Sequence, residues 1–283
     1  MNRQLMSRRH LVVSAALVMV LFGACSSSDE PEADASQPQA VRVVADDALW
    51  ETSGTSGLRA GWVSFTLETR EGEADHGLSL LRLKGDATVE ELVQVEDFEQ
   101  FLELVEPLGG LVGVTGAASH TVTARLDPGR YAIIDGGETE EGPNFLRGMT
   151  ASFDVAADDG TAGVRPESDG EIVMREFAID VPEGFTGHGT YLVRNDGGLY
   201  HELNIGRFDP GIDPVEVIRV HAETGRGEGA VEVPGMWVLA PGEEAYLELD
   251  LEPGPHAFVC FLSDPEDQPS HALQDMYALF TVD

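Results

Sequence analysis

The chain has 283 residues and a formal net charge of −34, from 51 acidic residues against 17 lysines and arginines. A chain of this length can bury two ordinary hydrophobic cores, so two domains are expected. Its acidity argues against attraction to nucleic acid or to an anionic membrane face, and no nucleic-acid partner is predicted.

The N-terminal segment, residues 1–24, has the pattern of an export signal. Arg3, Arg8 and Arg9 precede an apolar run over residues 11–24, which is short for a membrane span. The run ends in Phe-Gly-Ala followed by Cys25, which resembles the lipobox of bacterial lipoproteins, where the cysteine is acylated after cleavage. The resemblance implies an extracytoplasmic protein anchored to the cell membrane by a lipid on Cys25. An uncleaved anchor helix would give the same location, and the export route, Sec or twin-arginine, stays open.

The lipidated Cys25 is expected to begin a flexible stalk that extends over residues 25–41. This segment is rich in serine, proline and acid and has no aromatic residue. Such a composition cannot bury enough apolar surface to fold, so the stalk is predicted to be disordered.

Short apolar segments separated by Gly, Pro and Asp follow over residues 42–157, the first predicted domain. Strands are predicted at 42–44, 60–67, 78–83, 121–126, 131–134 and 150–155. Apolar residues recur at helical spacing between 89 and 105, which predicts one or two short helical turns inserted in this domain. A glycine-rich segment, 109–116, leads into the later strands.

The pattern restarts in the second predicted domain, residues 168–283, after an Asp- and Gly-rich boundary. Strands are predicted at 172–179, 187–194, 203–208, 235–239, 245–251, 256–262 and 277–282. The two halves match each other in three places: 76–82 with 201–207, 126–132 with 251–257, and 149–155 with 276–282. Two copies built from many short strands predict an all-β protein with two tandem β-sandwiches.

Four soft donors lie in the second copy. They are His201, Cys260, His271 and Met276. Two imidazoles, a thiol and a thioether form the donor set that suits copper, with the methionine as a weak axial ligand. At the matching positions the first copy has His76, Asp135, Asn144 and Met149, so it is expected to be metal-free or to bind metal weakly.

The second domain, and more weakly the first, resembles the cupredoxins, the blue copper proteins. The resemblance lies in the Pro-Gly turn at 241–242, the Leu-Glu-Pro-Gly turn at 251–254, the strand that ends at Cys260, and the segment from His271 to Met276. It implies Greek-key sandwiches and one copper ion held by His201, Cys260, His271 and Met276. The ten residues between Cys260 and His271 are more than that family usually has.

Each of these residues also has an ordinary structural interpretation. A lone cysteine is commonly a core residue, Met276 begins an apolar strand, His201 could bond to a backbone carbonyl, and His271 lies in a polar loop. Two hypotheses therefore remain: a membrane-tethered copper protein for electron transfer or copper binding, which meets a redox partner protein, and a metal-free cupredoxin-like binding or scaffolding lipoprotein. The sequence has no His-x-His pair, no histidine flanks Cys260, and no other catalytic motif stands out, so the protein is predicted not to be an enzyme.

Overall fold

The computed structural model describes residues 37–72, 74–139, 142–160, 163–225, 227–263 and 268–283. The predicted export signal, the lipidation site Cys25 and most of the predicted stalk lie outside these residues. The first strand begins at Gln39, so the last three residues assigned to the stalk lie in a β-sheet. No helix in the described ranges is long and apolar enough to cross a membrane.

The described residues of the first half form ten strands and two short helices. They are β1 (Gln39–Asp46), β2 (Leu49–Ser53), β3 (Gly61–Thr69), β4 (His76–Leu83), α1 (Val89–Leu92), α2 (Phe98–Leu104), β5 (Val105–Val114), β6 (Ala118–Leu126), β7 (Gly129–Ile134), β8 (Glu138–Thr139), β9 (Gly142–Pro143) and β10 (Thr150–Val155). A 3-10 turn, Asn144–Arg147, precedes β10.

In the second half, the part of the chain that the structure describes forms eight strands and one helix. They are β11 (Gly170–Arg175), β12 (Ala178–Asp180), β13 (His188–Asn195), β14 (His201–Phe208), α3 (Pro214–Thr224), β15 (Ala230–Leu239), β16 (Glu244–Asp250), β17 (Gly254–Val259) and β18 (Tyr277–Val282). A 3-10 turn, His271–Gln274, precedes β18, as its counterpart does in the first half.

Two eight-stranded sheets form the body of the protein. Their strand orders are β12-β11-β13-β16-β6-β3-β1-β2 and β10-β7-β4-β5-β15-β14-β17-β18. Each half contributes four consecutive strands to each sheet, and the order of one half is the reverse of the other, which is the pattern of an internal two-fold repeat. The predicted all-β class with two tandem β-sandwiches is confirmed.

The halves are hydrogen-bonded to each other in both sheets. Strand β16 pairs with β6, and β15 pairs with β5, each antiparallel. The buried apolar side chains of the two halves form one continuous cluster that includes Phe65, Tyr131, Tyr191 and Phe258. Alternate residues of a strand point to one face, so strands such as β3 place Val63, Phe65 and Leu67 in this core.

The helical insertion predicted between 89 and 105 is confirmed as α1 and α2. Thr88 begins α1 with a capping box to Glu91, and Asp97 caps α2, so both helices begin at residues whose side chains bond free backbone N–H groups. The glycine-rich segment 109–116 lies largely within β5. A Cβ atom at Gly110 would lie 1.8 Å from the carbonyl oxygen of Leu78, so only glycine fits there.

Strands β2, β8 and β9 were not predicted, and two further local features differ from the sequence predictions. The segment 172–179, predicted as one strand, is two strands, β11 and β12, joined by a tight turn at Glu176 and Phe177. Helix α3 was not predicted, although Asp213 caps its N-terminus and Gly225 ends it in a left-handed conformation. Its apolar residues are mostly β-branched valines and isoleucine, which favour a strand interpretation of the sequence.

Candidate metal centre

Three separate elements bring the predicted ligands together. His201 is the first residue of β14, Cys260 directly follows β17, and His271 begins the 3-10 turn before β18. Strands β14 and β17 pair antiparallel, with Asn204 opposite Val259. The start of one strand therefore lies beside the end of the other, and the first two ligands meet at that end of the sheet.

The donor atoms lie at distances that fit a shared ion. The Sγ of Cys260 is 3.4 Å from Nδ1 of His271 and 3.8 Å from Nδ1 of His201. The three ligand atoms lie within 4.8 Å of one another, and all three side chains have 0% exposure. An ion about 2.0 to 2.3 Å from nitrogen and sulfur donors would separate them by roughly 3.5 to 3.8 Å. His201, Cys260 and His271 can therefore hold a metal ion in the position that a type 1 copper site requires.

Burial also determines the state of the thiol. The low-polarity surroundings, and after them the charge of Glu202, raise the pKa of Cys260 well above its ordinary value. In the metal-free protein the thiol is therefore protonated at neutral pH, and a metal must displace that proton to bind sulfur. A thiolate with two imidazoles is a soft donor set that suits copper and zinc better than magnesium or calcium.

Met276 is held beside these residues by the main chain. Its carbonyl oxygen accepts a hydrogen bond of 3.2 Å from the N–H of Cys260, and its own N–H donates one of 3.0 Å to the carbonyl of His271. The side chain is fully buried in the same apolar cluster as Cys260. The assignment of Met276 as the axial ligand stays a prediction.

Two residues that support the site were not predicted from the sequence. A carboxylate oxygen of Glu202 accepts a 3.0 Å hydrogen bond from the N–H of Phe261, so it links the residue after His201 to the residue after Cys260. The buried amide of Asn195 donates to the carbonyls of Leu199 and Leu239, at 2.8 and 3.0 Å. It thereby fixes the loop that leads into His201. Neither residue type carries a motif that would have identified this role.

The equivalent place in the first half is filled by hydrogen bonds. Asp135 accepts at Oδ2 from His76 Nδ1 at 2.6 Å and from Asn144 Nδ2 at 3.2 Å. Its Oδ1 accepts from the backbone N–H of Gly77 at 2.8 Å and of Gly137 at 2.9 Å. A carboxylate has about four acceptor positions, and these four bonds use them. The carboxylate in the position of Cys260 therefore has no acceptor position left for an ion.

Comparison with known proteins gives only distant matches. No family model matches the chain, and no curated protein does. A reduced auracyanin from Roseiflexus castenholzii matches 40% of this chain and 95% of its own at 22% identity, with a TM-score of 0.27. A copper nitrite reductase from Nitrosomonas europaea matches 86% of this chain and 93% of its own at 14% identity, with a TM-score of 0.24. A multicopper oxidase matches 86% and 88% at 13% identity, with a TM-score of 0.25.

The prediction that the protein is not an enzyme is corrected. It rested on the absence of His-x-His pairs and of other catalytic motifs, but two of these structures are of enzymes, the nitrite reductase and the oxidase. The missing motifs therefore do not exclude catalysis. At these identities and TM-scores the matches also assign no activity to this chain.

Proposed function

We propose that this protein binds one copper ion in its second half and acts in electron transfer. His201, Cys260 and His271 would supply two imidazoles and a thiolate, and Met276 would be the weak axial ligand. The observation that carries the proposal is the buried cluster of these three side chains, with sulfur-to-nitrogen distances of 3.4 and 3.8 Å. Copper, when bound, would supply a one-electron change of oxidation state.

The chain's own residues suit that task because they restrict movement. His201 and Cys260 lie at the ends of the paired strands β14 and β17. His271 begins a turn, and its backbone N–H donates a hydrogen bond of 2.7 Å to the carbonyl of Leu262. Ligands held this firmly change position little when the charge of an ion changes, which favours rapid transfer of an electron. Full burial keeps water away from the ligands.

Copper titration of residues 37–283 tests the proposal. The copper-loaded protein is expected to show an intense visible thiolate-to-copper absorption at one ion per chain. Cys260→Ser should abolish it, whereas His188→Gln, at an exposed histidine paired with Asp250, should not. A colourless protein with no affinity for copper would favour the metal-free scaffolding lipoprotein instead.

We also propose that the protein works outside the cytoplasm, anchored to the membrane by a lipid on Cys25, with a redox protein as its partner. The support is the resemblance of residues 22–25 to a lipobox and the apolar run before it. Cys25→Ser is expected to release the protein from the membrane fraction. An unchanged distribution would contradict lipid anchoring and favour an uncleaved anchor helix.

A further inference from the structure

The turn between β11 and β12 has an unexpected residue at its tightest point. Arg175 pairs with Ala178, so Glu176 and Phe177 form a two-residue turn. Phe177 has a φ of 59°, a conformation that favours glycine or asparagine at the second position of such a turn. A bulky aromatic residue gains nothing locally there, so contacts elsewhere must maintain it.

Phe177 contacts one imidazole ligand, and its neighbour Glu176 contacts the segment that precedes the other. The ring of Phe177 meets the ring of His271 edge to face, at 5.6 Å between centroids and 81° between planes. The carboxylate of Glu176 accepts hydrogen bonds from the backbone N–H groups of Gly198 and Leu199, just before His201. One short turn therefore contacts two of the three ligand segments.

The turn lies at the surface, whereas the ligand that it contacts is buried. Phe177 is 38% exposed, whereas His271 beneath it has 0% exposure. The loop that leads to His201 is packed closely against the turn. A Cβ atom at Gly197 would lie 2.9 Å from the Glu176 carboxylate and 3.0 Å from Nε2 of His201. Phe177 is therefore partly exposed to water while its ring lies against a buried ligand.

We propose that Glu176 and Phe177 are positioning residues that form a cover over the metal centre. Phe177 fixes the His271 ring and keeps water-soluble molecules from Cys260, and Glu176 fixes the loop that leads to His201. The inference rests on the proposed function for its metal-related part. The shielding of the thiol does not depend on a metal.

Thiol labelling of the metal-free protein tests the cover directly. The full chain with Cys25→Ser would be treated with a charged, water-soluble disulfide reagent, so that Cys260 is the only thiol. Phe177→Gly removes the ring and also relieves the backbone conformation. It should therefore label at least about tenfold faster without loss of stability, because local opening exposes the buried sulfur. Phe177→Tyr should restore the slow rate.

Controls separate a cover from a general loosening of the fold. Leu146→Ala, at a 57% exposed residue of the 3-10 turn before β10 in the first half, should label at the rate of the parent chain. Unfolding in denaturant, measured on each variant, should show Phe177→Gly to be at least as stable as the parent. A parent-like labelling rate for Phe177→Gly would overturn the inference.

The copper-loaded protein supplies a second readout. Phe177→Gly and Glu176→Ala should lose copper to excess EDTA faster than the parent, followed as bleaching of the visible band, and Glu176→Gln should lose it less rapidly than Glu176→Ala. If the parent binds no copper but Phe177→Gly still labels faster, the proposed function fails and the cover over Cys260 stands. If copper binds and neither rate changes, the cover is refuted alone.

Discussion

Removal of the Asp135 side chain is expected to be among the most damaging single changes in this protein. In Asp135→Ala, the four donors that now bond the carboxylate lose their acceptor: two backbone N–H groups, the His76 ring and the Asn144 amide. A buried donor without a partner costs about 1 to 3 kcal/mol. Partial entry of water and non-additivity reduce the sum, which gives a loss of about 4 to 6 kcal/mol in the free energy of unfolding.

Urea unfolding of residues 37–283, followed by tryptophan fluorescence and circular dichroism, measures this loss. The matched control is Cys260→Ala in metal-free protein, at the equivalent position of the second half. Sulfur is a weak hydrogen-bond acceptor, and that of Cys260 has contacts with two imidazoles, at 3.4 and 3.8 Å, and with the backbone of Glu202 and Leu262, so its removal should cost about 1 to 2 kcal/mol. The reasoning is wrong if Asp135→Ala is no more destabilising than this control.

Three further outcomes are expected. Asp135→Cys combined with Asn144→His should raise copper binding from one to two ions per chain, counted by titration of the visible band; an unchanged stoichiometry would show that the first half cannot adopt the ligand geometry. Burial, with the charges of Glu232 and Asp135, raises the pKa of Asp75 to about 6. Native protein thus binds more protons than unfolded protein between about pH 4 and 6, so stability should fall as pH rises through this window. Asp75→Asn should remove the fall and raise stability at pH 7 by about 1 to 2 kcal/mol, after allowance for partial exposure. An equal change in melting temperature between pH 4.5 and pH 7.5 in the parent and the variant would contradict this. Gly110→Ala should cost more than about 3 kcal/mol because its Cβ would lie 1.8 Å from a backbone oxygen, whereas Gly116→Ala, in open space, should cost about 1 kcal/mol; equal melting temperatures would refute the close-approach argument.

The sequence was most informative where its residue types repeat. The matches of 76–82 with 201–207 and of 149–155 with 276–282 correspond to equivalent strands of the two halves, β4 with β14 and β10 with β18. The alternation of apolar residues located most strands within a few positions. The meeting of His201, Cys260 and His271 followed from the cupredoxin resemblance, because the spacing along the chain alone leaves each residue with an ordinary structural role.

Other features depend on contacts that are distant in sequence. Phe177 reaches His271 across 94 positions (271 − 177), and no local signal marks a phenylalanine with positive φ. Strand β5 has a glycine at position 110 because the backbone of β4 approaches it closely there, a contact that the glycine-rich sequence alone does not show. The hydrogen bonds of Asp135 could not be predicted from the sequence either, because an aspartate in place of a cysteine indicates only the loss of a soft ligand.

The pairing of β5 with β15 and of β6 with β16 has a consequence for how the protein avoids aggregation. Unpaired strand edges are templates for unwanted association with other chains. Each half alone would present four such edges, and the pairing of the halves with each other hides two in each half. The outer strands that remain are β2, β12, β10 and β18, of which β2 and β12 are only five and three residues long. A duplicated domain can thus remain indispensable as a lateral partner, so its ligand positions are free to change without loss of its structural role.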